Sequence, residues 1–132
     1  MKFYLILILI PFSSFAQKAN PFSIELRPRV IDNAKVLVNI EITNHLNRPI
    51  DYFEGFLSEY SSKGVLLNEK RVVLLYNYEP ALQTGFSTIK TVKFDLREEK
   101  PSNFDFNISK VKFFGENRVF AWHKKAGFIR ID

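Results

Sequence analysis

The stretch VLVNIEITNHLNRPIDY, residues 36–52, decides the fold, because it joins two apolar runs through a short polar segment. In the first run, branched apolar side chains recur at every second position: Val36, Val38, Ile40 and Ile42. An alternation with a period of two predicts an antiparallel strand that buries one face. In the polar segment, Asn44 and Asn47 tolerate turn conformations, and Pro49 fixes the backbone where the next strand begins. The stretch therefore predicts two core strands and the connection between them.

One of the two histidines of the chain, His45, lies inside this connection. It has no second metal ligand or catalytic partner at a useful spacing, so we expect it to be an exposed loop residue. After the connection, Asp51 and Glu54 can meet across a loop as a weak calcium or acid–base pair. A solvated strand edge explains these two carboxylates more simply.

Alternating runs continue along the chain, and no window after residue 16 has the apolar spacing of an amphipathic helix. The runs occupy residues 22–31, 35–44, 50–60, 65–78, 86–96, 104–114 and 118–124, and GFIRID at 127–132 can add a short final strand. About seven strands at this spacing predict an all-β fold, an antiparallel two-sheet sandwich of the immunoglobulin-like kind. A closed barrel is the competing architecture.

Three positions interrupt the strand pattern. Pro28 lacks the amide hydrogen that a central strand needs, which predicts an edge strand or a kink. Gly55 predicts a bulge or a point where two backbones approach closely. The apolar alternation skips at Ser109 and Lys110, which predicts a β-bulge.

The first sixteen residues, MKFYLILILIPFSSFA, have the charged, apolar and small-residue regions of a secretory signal peptide. Their apolar run, residues 3–10, is far shorter than the roughly 20 residues of a membrane-spanning helix. We expect cleavage after Ala16, which leaves residues 17–132 as a single domain without a stable membrane anchor. The sequence thus predicts an exported protein, periplasmic or extracellular. It contains no cysteine, so the domain depends on packing rather than on disulfides.

Residues 36–67 and 81–94 resemble the small immunoglobulin-like domains of exported bacterial proteins, of the FxLYD kind. The matching positions are Asn44, Ile50, Tyr52, Phe56, Tyr60 and Gly64 in the first stretch, and Leu82, Gly85, Ser87 and Phe94 in the second. The chain departs from the family pattern at Thr84, where proline is usual, and at Ser61, where aspartate is usual. The resemblance implies an immunoglobulin-like sandwich. Its shared motifs are structural, so it transfers no functional residue.

Catalytic and metal-binding patterns are weak. STIK, residues 87–90, has the spacing of the S-x-x-K acyl-enzyme motif, but that chemistry needs a helix, and here the segment is a predicted strand. His123, like His45, has no ligand partner at metal-binding spacing. We therefore predict no catalytic residue, no metal and no cofactor, and we expect that the protein is not an enzyme.

The chain is basic, with a formal net charge of +5, and its basic excess lies after Lys100. Such charge can bind nucleic acid or an anionic cell-surface polymer. Because no nucleic-acid recognition motif accompanies it, we interpret these residues as solvent-facing positions on strands and predict no nucleic-acid partner.

Three aromatic residues are the candidate binding residues. Tyr76 and Tyr78 share a parity just before a loop, and Trp122 lies on a late strand. Tyrosine and tryptophan combine an apolar ring with a polar tip and are common in recognition surfaces, although they also fill core rims. The leading hypothesis is a non-enzymatic domain that contacts another envelope or secreted protein. A module that binds glycan or cell-wall polymer is the first alternative, and an unfamiliar hydrolase is the second.

Overall fold

The computed structural model describes residues 20–32, 34–97 and 102–132. The predicted signal peptide, residues 1–16, and the predicted first residues of the domain lie outside this part of the chain. Within it, no helix is long and apolar enough to cross a membrane.

The described residues form eight strands and no helix. In chain order they are β1 (Phe22–Ile31), β2 (Lys35–Asn44), β3 (Ile50–Tyr60), β4 (Leu66–Leu75), β5 (Ser87–Asp95), β6 (Asn103–Phe113), β7 (Val119–His123) and β8 (Gly127–Arg130). The run 65–78 gives one strand, β4, and the segment after Gly127 gives the short final strand.

The strands form two antiparallel sheets. One has the order β1-β2-β5, and the other has the order β4-β3-β6-β7-β8. The predicted all-β, two-sheet antiparallel sandwich is therefore confirmed, and the closed barrel is wrong because the two sheets are separate. Pro28 lies on β1, an edge strand, where its missing amide hydrogen interrupts no ladder.

The predicted buried face of β2 forms the middle of the core. All four of its branched side chains are almost inaccessible to solvent: Val36, Val38, Ile40 and Ile42. They pack against the inner face of the larger sheet, which contributes Phe53 and Leu57 from β3.

The connection from β2 to β3 carries the chain from one sheet to the other, and the buried Asn44 organises it. The Asn44 side-chain amide donates to the carbonyl oxygens of Arg48 and Leu82, both at 2.9 Å, and its Oδ1 accepts from the Leu46 amide at 2.9 Å. One side chain thus bonds three backbone groups, two of them within the connection itself, which is the local bonding predicted for asparagine in this turn.

The predicted irregularities of β3 and β6 occur together. Along this pair, Glu54 faces Lys110 whereas Gly55 faces Ile108, so Ser109 is an extra residue in β6. A Cβ atom on Gly55 would lie 2.3 Å from Cζ of Phe106 and 2.5 Å from the Asn107 carbonyl oxygen. Both the bulge near Ser109 and the close approach at Gly55 are confirmed, and each permits the other.

Candidate functional site

Part of β6 has no partner strand on the side away from β3. β7 pairs with β6 only where Phe120 faces Val111 and Val119 faces Lys112. Beyond the bulge β7 continues alongside β8 instead, and no strand of the described residues pairs with residues 103–110 on that side. β1, on the other sheet, also has one free edge because it is the outer strand.

A groove of about 770 Å³ opens between these two free edges. Its apolar lining comes from both sheets: Phe22, Ile24, Phe106, Ile108 and Trp122. This volume lies within the range of roughly 300–1,000 Å³ that is usual for ligand-binding clefts. The groove thus combines an apolar floor with strand edges that can offer backbone hydrogen bonds.

An aromatic cluster forms the rigid wall of the groove. The Phe22 ring makes edge-to-face contacts with Phe53, Trp122 and Phe128, with centroid distances of 5.1, 5.8 and 6.0 Å. These contacts tie β1 to the β7–β8 hairpin. Trp122 is therefore part of a packed wall as well as a groove residue.

Charged side chains stand at the rims of the groove. The end of β7 and the turn after it contribute His123, Lys124 and Lys125, whereas β1 contributes Glu25 and β6 contributes Asp105. His123 Nδ1 accepts from the Lys125 amide at 3.1 Å, which holds the basic turn in shape. Glu25 already forms an ion pair with Arg27. No ion pair between described residues uses Lys124 or Lys125.

The other two predicted binding residues lie together, but away from Trp122. The rings of Tyr76 and Tyr78 stack with a centroid distance of 5.1 Å and an interplanar angle of 17°. The Tyr76 amide donates to Glu79 Oε1 at 3.0 Å, which braces this turn. Tyr78 remains 79% exposed. The pair follows β4, and β3 and β6 separate it from β7, so the three predicted residues do not form one site.

One of the two carboxylates considered from the sequence, Glu54, is buried within the larger sheet. Glu54 is only 2% exposed, so the solvated strand edge proposed for it is wrong. It accepts hydrogen bonds at 2.6 Å from both Arg71 and the Tyr52 hydroxyl, and Ser109 Oγ donates to it at 3.3 Å. Asp51 pairs instead with Lys112, so the two carboxylates have separate partners.

The Glu54 environment shifts the ionisation of two groups. Burial by itself raises the pKa of Glu54, but the hydrogen bonds from Arg71 and Tyr52 outweigh it and hold that pKa below the ordinary value. Burial, followed by the hydrogen bond to Glu54, raises the pKa of Tyr52. The network is thus an ion pair between Glu54 and Arg71, with the neutral Tyr52 hydroxyl hydrogen-bonded to the carboxylate. Through Ser109 it also holds the bulged part of β6 against β3.

The remaining sequence candidates have structural partners. His45 is exposed in its loop, as expected, with Nε2 2.5 Å from Ser23 Oγ. Ser87 lies on a strand and bonds Thr43 across the ladder at 2.6 Å, while Lys90 stands 5.8 Å from the Tyr76 ring centroid. In the parts of the chain that the structure describes, no three histidine, aspartate or glutamate side chains form a group that could hold a metal ion.

Comparison with known proteins extends the description of the fold. No protein-family model matches the chain, and no curated protein matches it. The chain is similar to the crystal structure of a Bordetella pertussis protein provisionally named ApaA, with a TM-score of 0.50 and 12% sequence identity. The match covers 83% of this chain and 85% of that one. The likeness is one of fold.

Proposed function

We propose that this protein is an exported, non-enzymatic β-sandwich domain that binds another envelope or secreted protein. The observation that supports the proposal is the groove beside β6, where an apolar floor meets two free strand edges. Free edges next to apolar pockets are a common way for sheets to capture extended segments of other proteins. The amino-terminal pattern of residues 1–16 supports export.

We further propose that the sandwich is immunoglobulin-like and related to the FxLYD kind. In the variable-type immunoglobulin sandwich, strand C′ lies beside C in the sheet that also holds F and G. The order β4-β3-β6-β7 corresponds to C′-C-F-G, and β1-β2-β5 corresponds to A-B-E. This correspondence supports the family resemblance, which by itself leaves the partner unspecified.

Capture from the envelope of the producing cell tests the proposal. The full-length gene, tagged at its carboxyl terminus, is expressed with its own leader, and the bound proteins are identified after crosslinking. We expect one or a few specific partners, lost in the double variant Lys124→Glu/Lys125→Glu and retained in Phe114→Ala, an exposed aromatic outside the groove. A protein that stays monomeric and recovers no specific partner contradicts the proposal.

A glycan-binding module is the second candidate function, favoured by the braced Tyr76–Tyr78 pair. A rigid, exposed aromatic ring offers a flat apolar face at little entropic cost, and Lys90 lies beside it. Retention on peptidoglycan or glycan columns that is lost in Tyr76→Ala/Tyr78→Ala and kept in Phe114→Ala supports this function. Passage of the wild-type protein without retention contradicts it.

A further inference from the structure

We propose that the groove binds an extended, acidic segment of the partner protein, which adds as a strand to the free edge of β6. This inference rests on the proposed function and specifies the chemistry of the partner. It follows from three features of the described residues. One edge of β6 has no partner strand, and the Phe106 amide on that edge bonds the Asp105 side chain instead. The third feature is the positive charge of Lys124 and Lys125 at the rim.

The edge of β6 has a carboxylate where a strand would supply a carbonyl oxygen. The Phe106 amide donates to Oδ1 of Asp105, its own neighbour, at 3.0 Å. The same kind of bond occurs on β4, the outer strand of this sheet, where the Glu69 amide donates to Oδ1 of Asn68 at 2.8 Å. At both places the side chain of the preceding residue satisfies an amide that has no neighbouring strand to bond. An incoming strand replaces the Asp105 carboxylate with its own carbonyl oxygen.

The floor and the rim select the side chains of the segment. Because successive side chains of a strand point to opposite faces, every second residue of an added segment faces the floor that Phe106, Ile108 and Trp122 form. These positions favour aliphatic side chains. The intervening positions lie near Lys124 and Lys125, which no ion pair between described residues uses. Of the two acidic residues in the groove, Glu25 is paired with Arg27, and Asp105 is the one whose carboxylate an incoming strand displaces, so acidic side chains are favoured.

The chain contains its own probe for this binding. Trp122 is the only tryptophan and lines the groove, so its fluorescence reports occupancy. The ligand for the experiment is a blocked decapeptide of alternating valine and glutamate, titrated into the full-length protein after export and processing. We expect a saturable change in Trp122 emission. On the same titration, the Phe106 amide should become protected from hydrogen exchange.

Three comparison ligands separate the parts of the inference. A valine–lysine decapeptide should not bind, because its lysines would lie near Lys124 and Lys125. A valine–glutamate peptide with every backbone nitrogen methylated keeps its charges but has no amide hydrogen to donate on either edge, so it should not bind either. Oligogalacturonate carries acidic groups without a peptide backbone. An equal response to any of these three overturns acidic strand addition.

Two variants test the residues named. Lys124→Glu/Lys125→Glu should lower the affinity for the valine–glutamate peptide about tenfold, which is near the upper end for the loss of two exposed ion pairs. Lys63→Glu/Lys93→Glu makes the same charge change away from the groove and should have a much smaller effect. Asp105→Ala removes the competing acceptor and should tighten binding. Unchanged affinity in both groove variants, or absent protection of the wild-type Phe106 amide, overturns the proposal.

The two proposals fail in distinguishable ways. An envelope partner that depends on Lys124 and Lys125, together with no binding of the valine–glutamate peptide, overturns strand addition and leaves the protein contact standing. An empty envelope capture contradicts the protein contact itself, whatever the peptide does.

Discussion

The two long sides of the sandwich are closed by different chemistry. On one side, β4 approaches β5, and polar side chains bond to backbone carbonyl groups across the gap. Lys70 Nζ donates to the Lys93 carbonyl at 2.5 Å, and Thr88 Oγ1 donates to the Leu74 carbonyl at 3.2 Å. On the other side, β1 meets the β7–β8 hairpin through the aromatic rings around Phe22.

The comparison explains where a partner can bind. Side-chain donors on the β4–β5 side occupy carbonyl groups that an added strand would need. Aromatic rings on the groove side hold the sheets together without using backbone groups, so the edges of β1 and β6 remain free along the groove. An aromatic closure can therefore be strong and still leave hydrogen-bonding capacity for another chain.

Phe22→Ala should have the largest effect on stability. Phe22 is buried and joins the two sheets through three edge-to-face contacts. Truncation therefore creates a cavity and removes these contacts between the sheets. We expect a loss of about 3–5 kcal/mol in the free energy of unfolding, measured by urea denaturation. Phe114→Ala removes an aromatic ring that is 65% exposed and should cost less than about 0.5 kcal/mol. Similar costs for the two variants contradict the role given to the aromatic side.

Gly55→Ala should be the next most damaging substitution. The new methyl group meets both the Phe106 ring and the Asn107 backbone oxygen, so we expect a loss of about 3 kcal/mol, the upper end for overpacking. Adding Phe106→Leu shortens the side-chain obstacle but not the backbone one, and should recover only part of the stability. Full recovery, also measured in urea, would show that the backbones of β3 and β6 can separate.

The sequence predicted these two sides unequally. Alternation and turn residues predicted the strands, and Pro28, Gly55 and Ser109 predicted the edge and the bulge, because each has a local backbone cause. The groove depends on where β7 leaves β6, which no local pattern encodes. Trp122 was a candidate, but the alternation of residues 104–114 marks its groove neighbours Phe106 and Ile108 only as apolar positions of a strand.

The burial of Glu54 was not predicted, for a related reason. A carboxylate on a strand predicts a solvated position, and only the pairing of β3 with β4 and β6 brings Arg71 and Ser109 to it. The close approach of β3 and β6 at Gly55 was predictable from the glycine, whereas the polar network beside it needed the register of three strands.

Glu54→Gln should cost less and should remove a pH dependence. The new amide is buried beside Arg71 and Tyr52 but has no negative charge to offset that of Arg71, so we expect a loss of about 1.5 kcal/mol in the free energy of unfolding at neutral pH. Because the folded protein holds the pKa of Glu54 below the ordinary value of 4.5, its contribution is fully present above pH 4.5 and is lost as the pH falls through the folded pKa. Urea denaturation of the wild type and Glu54→Gln between pH 7 and 3 should show that the difference in their free energies of unfolding shrinks only below pH 4.5. A difference that stays constant over this pH range contradicts a stabilising role for the ionised form of Glu54.

Thr88→Val should have the smallest effect and tests whether the two sides are independent. The substitution keeps the shape of the side chain but removes the donor to the Leu74 carbonyl, so we expect a loss of about 1 kcal/mol in urea denaturation. Thr91→Val removes a bond to Asn39 on the exposed face of the same strand and should cost less, because water replaces the lost partner. Trp122 emission should stay unchanged in both variants. A changed emission in Thr88→Val would show that the polar closure of one side sets the width of the groove on the other.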